Sequence, residues 1–448
     1  MGSILFADIA LADGLGPARQ HGWVAVCGSE IAYVGFDLDE RQRDWLEQAH
    51  GPFGRTVDGR GKLLVPGFFN AHAHAPMTLL RGRGENLALD EWLNTSIFPF
   101  EDHIQEQDAY WATMLAIAEM ARFGTVSFQD MYYHSDARAR AVLDSGFKAN
   151  LGHSITCFDP DAAYVDLPGA AINDHLLSDF HGAGDGRLRI DANLHAEYTS
   201  TPKVARGLAE WACDNELIMQ VHVSETAAEV EACKQRHDGM TPVRYLDSCA
   251  IFDVPAVAAH CVWLEPDDLS ILSKRDVTVA ANPQSNAKLG SGMADLTAIH
   301  AAGIRLALGT DGVASNNNHD MHRGMYLMAL FQRARDCSPL GLSSRELLAV
   351  ATANGAVAQG RDRSGMVAER SSADLAVFDI SVPWMQPLPE LHSALLYSAM
   401  GSDVVMTLVD GQVVYDHGSY PTIDVERAAW ETTRARNRIL ASLGEPIP

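Results

Sequence analysis

The residues of this chain best suited to chemistry are histidines and acids at the ends of short apolar runs. Asn70-Ala71-His72-Ala73-His74 ends one run. In an extended chain, side chains two apart share a face, so His72 and His74 can present two imidazoles to one ion. Val221-His222-Val223-Ser224-Glu225, Ala259-His260-Cys261 and Gly309-Thr310-Asp311-Gly312 end three later runs. Imidazoles and a carboxylate gathered at one place have the donor composition of a catalytic zinc site. Each piece is weak alone, since a lone His-x-His is more often structural and Thr-Asp-Gly is commonly a turn. Their conjunction at successive strand ends carries the reading.

The elements that must position these groups form a regular series. Eight β-type runs, at 63–69, 125–131, 148–155, 188–194, 217–223, 256–261, 277–281 and 304–308, are each followed by a helical pattern. This predicts the α/β class and a (β/α)8 TIM barrel over 61–365, whose C-terminal strand ends meet at one mouth. A doubly wound open sheet is the rival, but no G-x-G-x-x-G follows a strand. The two ends of the chain are β-rich. Runs at 23–26 and 31–35 read as a hairpin, and Asp410-Gly411 joins 404–409 to 412–415 as another. A small β-sandwich domain assembled from 1–60 and 366–448 is expected, closed by a helix over about 424–442.

Composition narrows the function classes. The chain has 448 residues, 47% hydrophobic and 21% charged, which excludes extensive disorder. Acids outnumber bases 58 to 34, a net charge of −24, so nucleic acid and anionic membrane surfaces are unsuitable partners. The start, Met-Gly-Ser-Ile-Leu-Phe-Ala-Asp, has no basic region, and no long uncharged apolar stretch follows. Seven widely spaced cysteines suit reduced thiols, and a cytoplasmic protein is expected.

Five longer strings connect these residues to a known pattern: Pro66-Gly67-Phe68-Phe69-Asn70-Ala71-His72-Ala73-His74; His222-Val223-Ser224-Glu225-Thr226; Ala259-His260-Cys261-Val262-Trp263; the polar string 282–292 from Asn282-Pro283-Gln284-Ser285-Asn286; and Leu308-Gly309-Thr310-Asp311-Gly312 through Asn317. Over nearly the whole chain this arrangement resembles the amidohydrolase superfamily, and within it the methylthioadenosine/S-adenosylhomocysteine deaminase-like branch. The resemblance implies His72, His74, His222 and Asp311 as ligands of one Zn2+, with Fe2+ or another divalent metal as the alternative. It implies hydrolytic deamination of an adenine nucleoside (adenosine, 5′-methylthioadenosine or a 5′-modified relative) to the inosine analogue and ammonia. Asp311 would take a proton from water, Glu225 would protonate the ring nitrogen, and His260 would hold the hydroxide or stabilise the developing charge. Glu101 matches a ribose-binding glutamate and His195 a substrate-contacting histidine, with Glu225 and Asp311 also touching substrate. The alternatives on this scaffold are deamination of a free purine or pterin base, or hydrolysis of a triazine. A homo-oligomer is compatible with the resemblance.

Two departures from the resembled pattern sharpen the expectation. Binuclear relatives use a carboxylated lysine at the end of strand four, where this chain has Asn193-Leu194-His195-Ala196-Glu197, so one metal is expected. Glu197 stands where the branch carries proline, and is expected as a surface acid or one behind the ligands. His153 occupies a place where arginine would hold the carboxylate of S-adenosylhomocysteine, and 158–177 contains no Arg. A carboxylate without bidentate partners binds poorly, which favours an uncharged nucleoside.

Overall fold

The computed structural model describes residues 3–447. Its central sheet is a near-closed parallel barrel of Phe68–Ala73, Thr125–Tyr132, Lys148–Ile155, Ala192–Ala196, Met219–Val223, Ala256–His260, Thr278–Ala281 and Leu306–Leu308, hydrogen-bonded in that order. Strands covered on both faces read as continuous apolar runs, and every residue of Thr125–Tyr132 is buried. The barrel closes where Ala73 bridges Asp311 in parallel and the Asp311 N–H donates to the His72 carbonyl at 2.9 Å. Closure thus joins the two strand ends that carry His72, His74 and Asp311.

The first expected run, 63–69, is divided. Lys62–Pro66 pairs antiparallel with Leu375–Asp379 in a terminal sheet, and the barrel strand begins at Phe68. Gly67 is the crossing point, because a Cβ there would lie 2.2 Å from Val126 Cγ1. The fourth run is also split, into Leu188–Ile190 and Ala192–Ala196, around the buried Asp191.

Two smaller sheets come from the chain ends. One pairs Glu30–Gly35, Trp23–Cys27, Ile4–Ala7 and Arg55–Asp58; the other pairs Gln412–Asp416, Val404–Val409, Leu375–Asp379, Lys62–Pro66 and Ala10–Leu11. Phe6, Val24 and Val26 of the first meet Leu64, Val377 and Met406 of the second in a shared apolar layer. The terminal helix, Val425–Ser442, packs on the barrel helix Glu106–Arg122 rather than on the sandwich: Ile439 and Leu440 cluster with Ile104, Ala109 and Ala112. Among the described residues, no helix is long and apolar enough to cross a membrane.

Candidate metal and active site

His72 lies within the first barrel strand, and His74 follows it directly, before a helical turn begun by Ala75-Pro76. His222 is in the fifth strand, His260 ends the sixth, and Asp311 follows the eighth. All five are buried, as is Glu225. Ser224, His260, Cys261 and Asp311 adopt left-handed backbone angles, φ 50, 73, 49 and 61°. Non-glycine residues persist there only when their surroundings hold them, and such strain collects at functional sites.

Backbone carbonyls fix two of the rings. His74 Nδ1–H donates to the Met131 carbonyl and His222 Nδ1–H to the His195 carbonyl, each at 2.6 Å. A carbonyl can only accept, so each Nδ1 carries the proton, and in the neutral ring each Nε2 offers a lone pair. These two nitrogens face each other at 3.3 Å. Asp311 Oδ1 lies 3.2 Å from His74 Nε2 and 3.7 Å from His72 Nε2. His72 Nε2 is buried with no hydrogen-bond partner.

Facing lone pairs repel unless a cation lies between them, and ligands of a tetrahedral zinc stand roughly 3.3 Å apart for bonds near 2.0–2.1 Å. His72, His74, His222 and Asp311 therefore fit a divalent metal in donor type, protonation and spacing. Burial pushes the His72 and His222 imidazoles well below their usual range, keeping them neutral as ligation requires. Burial opposes ionisation of Asp311, but hydrogen bonds from Ser285 Oγ at 2.6 Å, Ser315 Oγ at 3.0 Å and the Gly312 N–H at 2.8 Å favour its carboxylate form.

Glu225 and His260 stand beside this cluster. His260 Nε2 is 3.7 Å from Glu225 Oε2, and His260 Nδ1–H donates to Asn286 Oδ1 at 2.7 Å. Burial raises the Glu225 carboxyl above its usual range. A capping box locates it. Thr226 accepts from the Glu229 N–H, while the Glu229 carboxylate accepts from the N–H groups of Ser224 and Glu225 at 2.9 and 2.7 Å.

A cleft of about 610 Å³, its open mouth included, joins these groups to Glu101 and His195. Glu101 is half-buried, accepts from Tyr132 Oη at 2.5 Å and is raised by burial. His195 Nδ1 sits 2.9 Å from Thr199 Oγ1, and burial pushes its imidazole down to about 4. One wall is apolar, built by Leu89, Trp92, Leu93, Ile97 and Phe98, and no Arg or Lys lines the cleft. The structure thus brings all the expected site residues to one mouth.

Glu197 is placed elsewhere. It is buried, not a surface acid, and clamped by Arg236 Nη2 at 2.6 Å and His237 Nε2 at 2.6 Å, outside the cleft lining. His153 stays outside the cleft lining, 3.2 Å from Ser135 Oγ, and burial pushes it down to about 4. Sequence reasoning leaves Tyr132, Ser285, Asn286 and Ser291 without roles. Their signal is position, since Tyr132 ends strand two and the other three follow strand seven at the same mouth.

A model of the amidohydrolase family matches residues 63–414. The chain belongs to the amidohydrolase family. This amidohydrolase is 38% identical over 378 residues to the 5-methylthioadenosine/S-adenosylhomocysteine deaminase of Dictyoglomus thermophilum, covering 84% of this chain and 88% of that one. It is 37% identical over 375 residues to the 5′-deoxyadenosine deaminase of Methanothermobacter thermautotrophicus, covering 84% and 87%. Among solved structures, a zinc-bound adenosine deaminase from Xanthomonas campestris superposes with a TM-score of 0.89 at 28% identity, over 98% of this chain and 99% of that one. The atrazine chlorohydrolase of Arthrobacter aurescens shares the fold, with a TM-score of 0.85 at 22% identity over 97% and 100%.

Proposed function

We propose that this amidohydrolase is a mononuclear zinc-dependent deaminase of adenine nucleosides, converting adenosine, 5′-methylthioadenosine or a 5′-modified relative to the inosine analogue. The observation that carries the reading is the facing pair of Nε2 atoms of His74 and His222, 3.3 Å apart with each Nδ1–H spent on a backbone carbonyl, in the cleft that Asp311 and Glu225 also line. The names of the deaminase relatives support the nucleoside class.

His72, His74, His222 and Asp311 are the ligands in this reading. A divalent ion there supplies Lewis acidity, which makes water a nucleophile at neutral pH. The Asp311 carboxylate accepts a proton from the water as its oxygen bonds to the ring carbon bearing the exocyclic amine. Glu225, whose burial favours the protonated form, donates to the neighbouring ring nitrogen. His260 holds the entering water or hydroxide, its Nε2 accepting a hydrogen bond from the O–H as the oxygen attacks. The proton held by Asp311 passes to the amine, the C–N bond breaks, and ammonia leaves. The new hydroxyl returns a proton to Glu225 as the carbonyl forms.

Glu101 accepts from the vicinal ribose hydroxyls and His195 contacts the substrate. The apolar wall receives the 5′ group, and a lining without Arg or Lys favours an uncharged one. In the same proposal 61–365 is the catalytic span, except that Lys62–Pro66 joins the terminal sheet and the chain enters the barrel after Gly67, and 1–60 with 366–448 support it. The chain acts on a small molecule in the cytoplasm, without nucleic-acid or membrane partners.

The test is ammonia release by zinc-loaded protein from adenosine, 5′-methylthioadenosine, S-adenosylhomocysteine, adenine, guanine and an aminotriazine. Turnover concentrated on the uncharged adenine nucleosides is expected. Equal turnover of S-adenosylhomocysteine overturns the preference for an uncharged 5′ group, and turnover of bases or triazines alone overturns the nucleoside reading.

A further inference from the structure

The segment after the seventh barrel strand, 282–291, touches the three groups to which the chemistry is assigned, Asp311, His260 and Glu225. Ser285 Oγ donates to Asp311 Oδ2 at 2.6 Å, Asn286 Oδ1 accepts from His260 Nδ1–H at 2.7 Å, and Ser291 Oγ donates to Glu225 Oε1 at 3.1 Å. Ser285, Asn286 and Ser291 are all buried. Serines and asparagines in a surface loop would normally face water.

The segment is held as a block. The Ser291 N–H donates to the Asn286 carbonyl at 2.9 Å, closing the loop onto its helix, Pro283–Lys288. Gln284 Nε2 donates to the Asn316 carbonyl at 2.6 Å and Lys288 Nζ to the Ala314 carbonyl at 3.0 Å, tying the block to the loop that carries Asp311. Trp263 Nε1 donates to the Ser291 carbonyl at 2.7 Å, tying it to the loop after His260.

We propose that Asn286 is a positioning residue that selects the Nδ1–H tautomer and ring plane of His260, so that Nε2 meets the reacting atoms as an acceptor, with Ser291 steering Glu225 in the same way. The inference rests on the function proposed above for its catalytic consequence, but not for the tautomer itself. An imidazole in a buried site has two neutral forms, and the partner of one nitrogen decides which lone pair the other offers. Asn282 Nδ2 also lies near His260 Nδ1, but at 3.4 Å, so the shorter Asn286 contact dominates. On the Glu225 side, Ser291 engages Oε1 and leaves Oε2, 3.7 Å from His260 Nε2, to carry the mobile proton. The two contacts turn the reactive atoms of a base and an acid toward one another.

The experiment has a spectroscopic arm and a kinetic arm, both on zinc-loaded full-length protein. Protein carrying 15N-labelled histidine is examined by long-range 15N–1H correlation, with His260 assigned as the ring system lost in His260→Gln. A protonated Nδ1 and a bare Nε2 are expected, and an Nε2–H ring overturns the proposal whatever the substrate proves to be. In the kinetic arm, Asn286→Ala is expected to lower kcat about 10–100-fold, the usual cost of losing an orienting partner, with KM within about threefold and metal content unchanged. Asn286→Asp, which retains the acceptor, recovers most of the loss. Ser291→Ala loses less, since only one of two carboxylate oxygens is released. Full kcat in a folded, metal-loaded Asn286→Ala enzyme overturns the proposal, as does an Asn286→Asp enzyme no better than Asn286→Ala. If none of the nucleosides is turned over, the proposed function fails while the tautomer result stands on its own.

Discussion

Two buried polar clusters share the barrel interior, one at the mouth and one toward the other end of the strands. Away from the mouth, Asp191 accepts from Gln129 Nε2 and Gln220 Nε2 at 3.0 Å each and from Asn150 Nδ2 at 2.9 Å. Three amides satisfy one carboxylate, none of the four residues has a positive φ, and none lines the cleft. At the mouth, His72 Nε2 has no partner, two lone pairs confront each other, and three of the cluster's residues, Ser224, His260 and Asp311, are strained. Burial alone does not distinguish a functional cluster from a structural one. Both clusters keep orphaned atoms, Gln129 Oε1 and Gln220 Oε1 in the deep one; what distinguishes the mouth is imidazole lone pairs turned on one another, on strained backbone, next to open space.

Substitutions should separate the clusters sharply. His72→Ala or Asp311→Ala is expected to lose the metal and abolish turnover, read by metal analysis and ammonia release. A variant that keeps both overturns the ligand assignment. Glu225→Gln should retain metal but lose at least about 100-fold in kcat, the scale of proton-transfer catalysis. Wild-type kcat there would move the acid elsewhere. Glu101→Gln should raise KM for nucleosides about tenfold, the cost of weakening a hydrogen bond to a charged acceptor, and leave kcat nearly unchanged. An unchanged KM would remove the ribose contact from Glu101.

The deep cluster should answer to pH and stability instead. Burial pushes the Asp191 carboxyl up to about 6, against the hydrogen bonds of Gln129, Asn150 and Gln220 and the Arg361 guanidinium. The folded chain therefore binds this proton more tightly than the unfolded chain, whose aspartate titrates near about 3.9. Stability is reduced as pH rises from about 4 to about 6, and stays reduced above. Asp191→Asn should flatten that part of the melting-temperature profile and leave kcat at neutral pH unchanged. A profile identical to wild type would show that Asp191 does not titrate in that window.

The difference between the clusters also governs how much could be read from sequence. The ligand-bearing strand ends were legible because His-x-His, His222, His260 and Asp311 end apolar runs in order, and a barrel leaves them one meeting place. Asp410-Gly411 announced its hairpin, with both residues at positive φ in the structure. The break at Gly67 was hidden because Leu64, Val65, Phe68 and Phe69 are equally apolar, and only the approach of Val126 distinguishes the two sides. The split at Asp191 was hidden because its amide partners lie on three other strands. Tyr132 and Asn286 were missed for a related reason: a residue that acts by holding another has no spacing signature of its own. The terminal helix was located but not its partner, since an amphipathic face does not say what it will cover.

The central claim is one divalent metal at the mouth, held by His72, His74, His222 and Asp311, serving hydrolytic deamination. The most direct test is a titration of chelator-stripped protein with Zn2+, following ammonia release from 5′-methylthioadenosine. Activity is predicted to rise from near zero in a straight line and to level off at one equivalent. Full activity in the stripped protein, or a break at two equivalents, would contradict it.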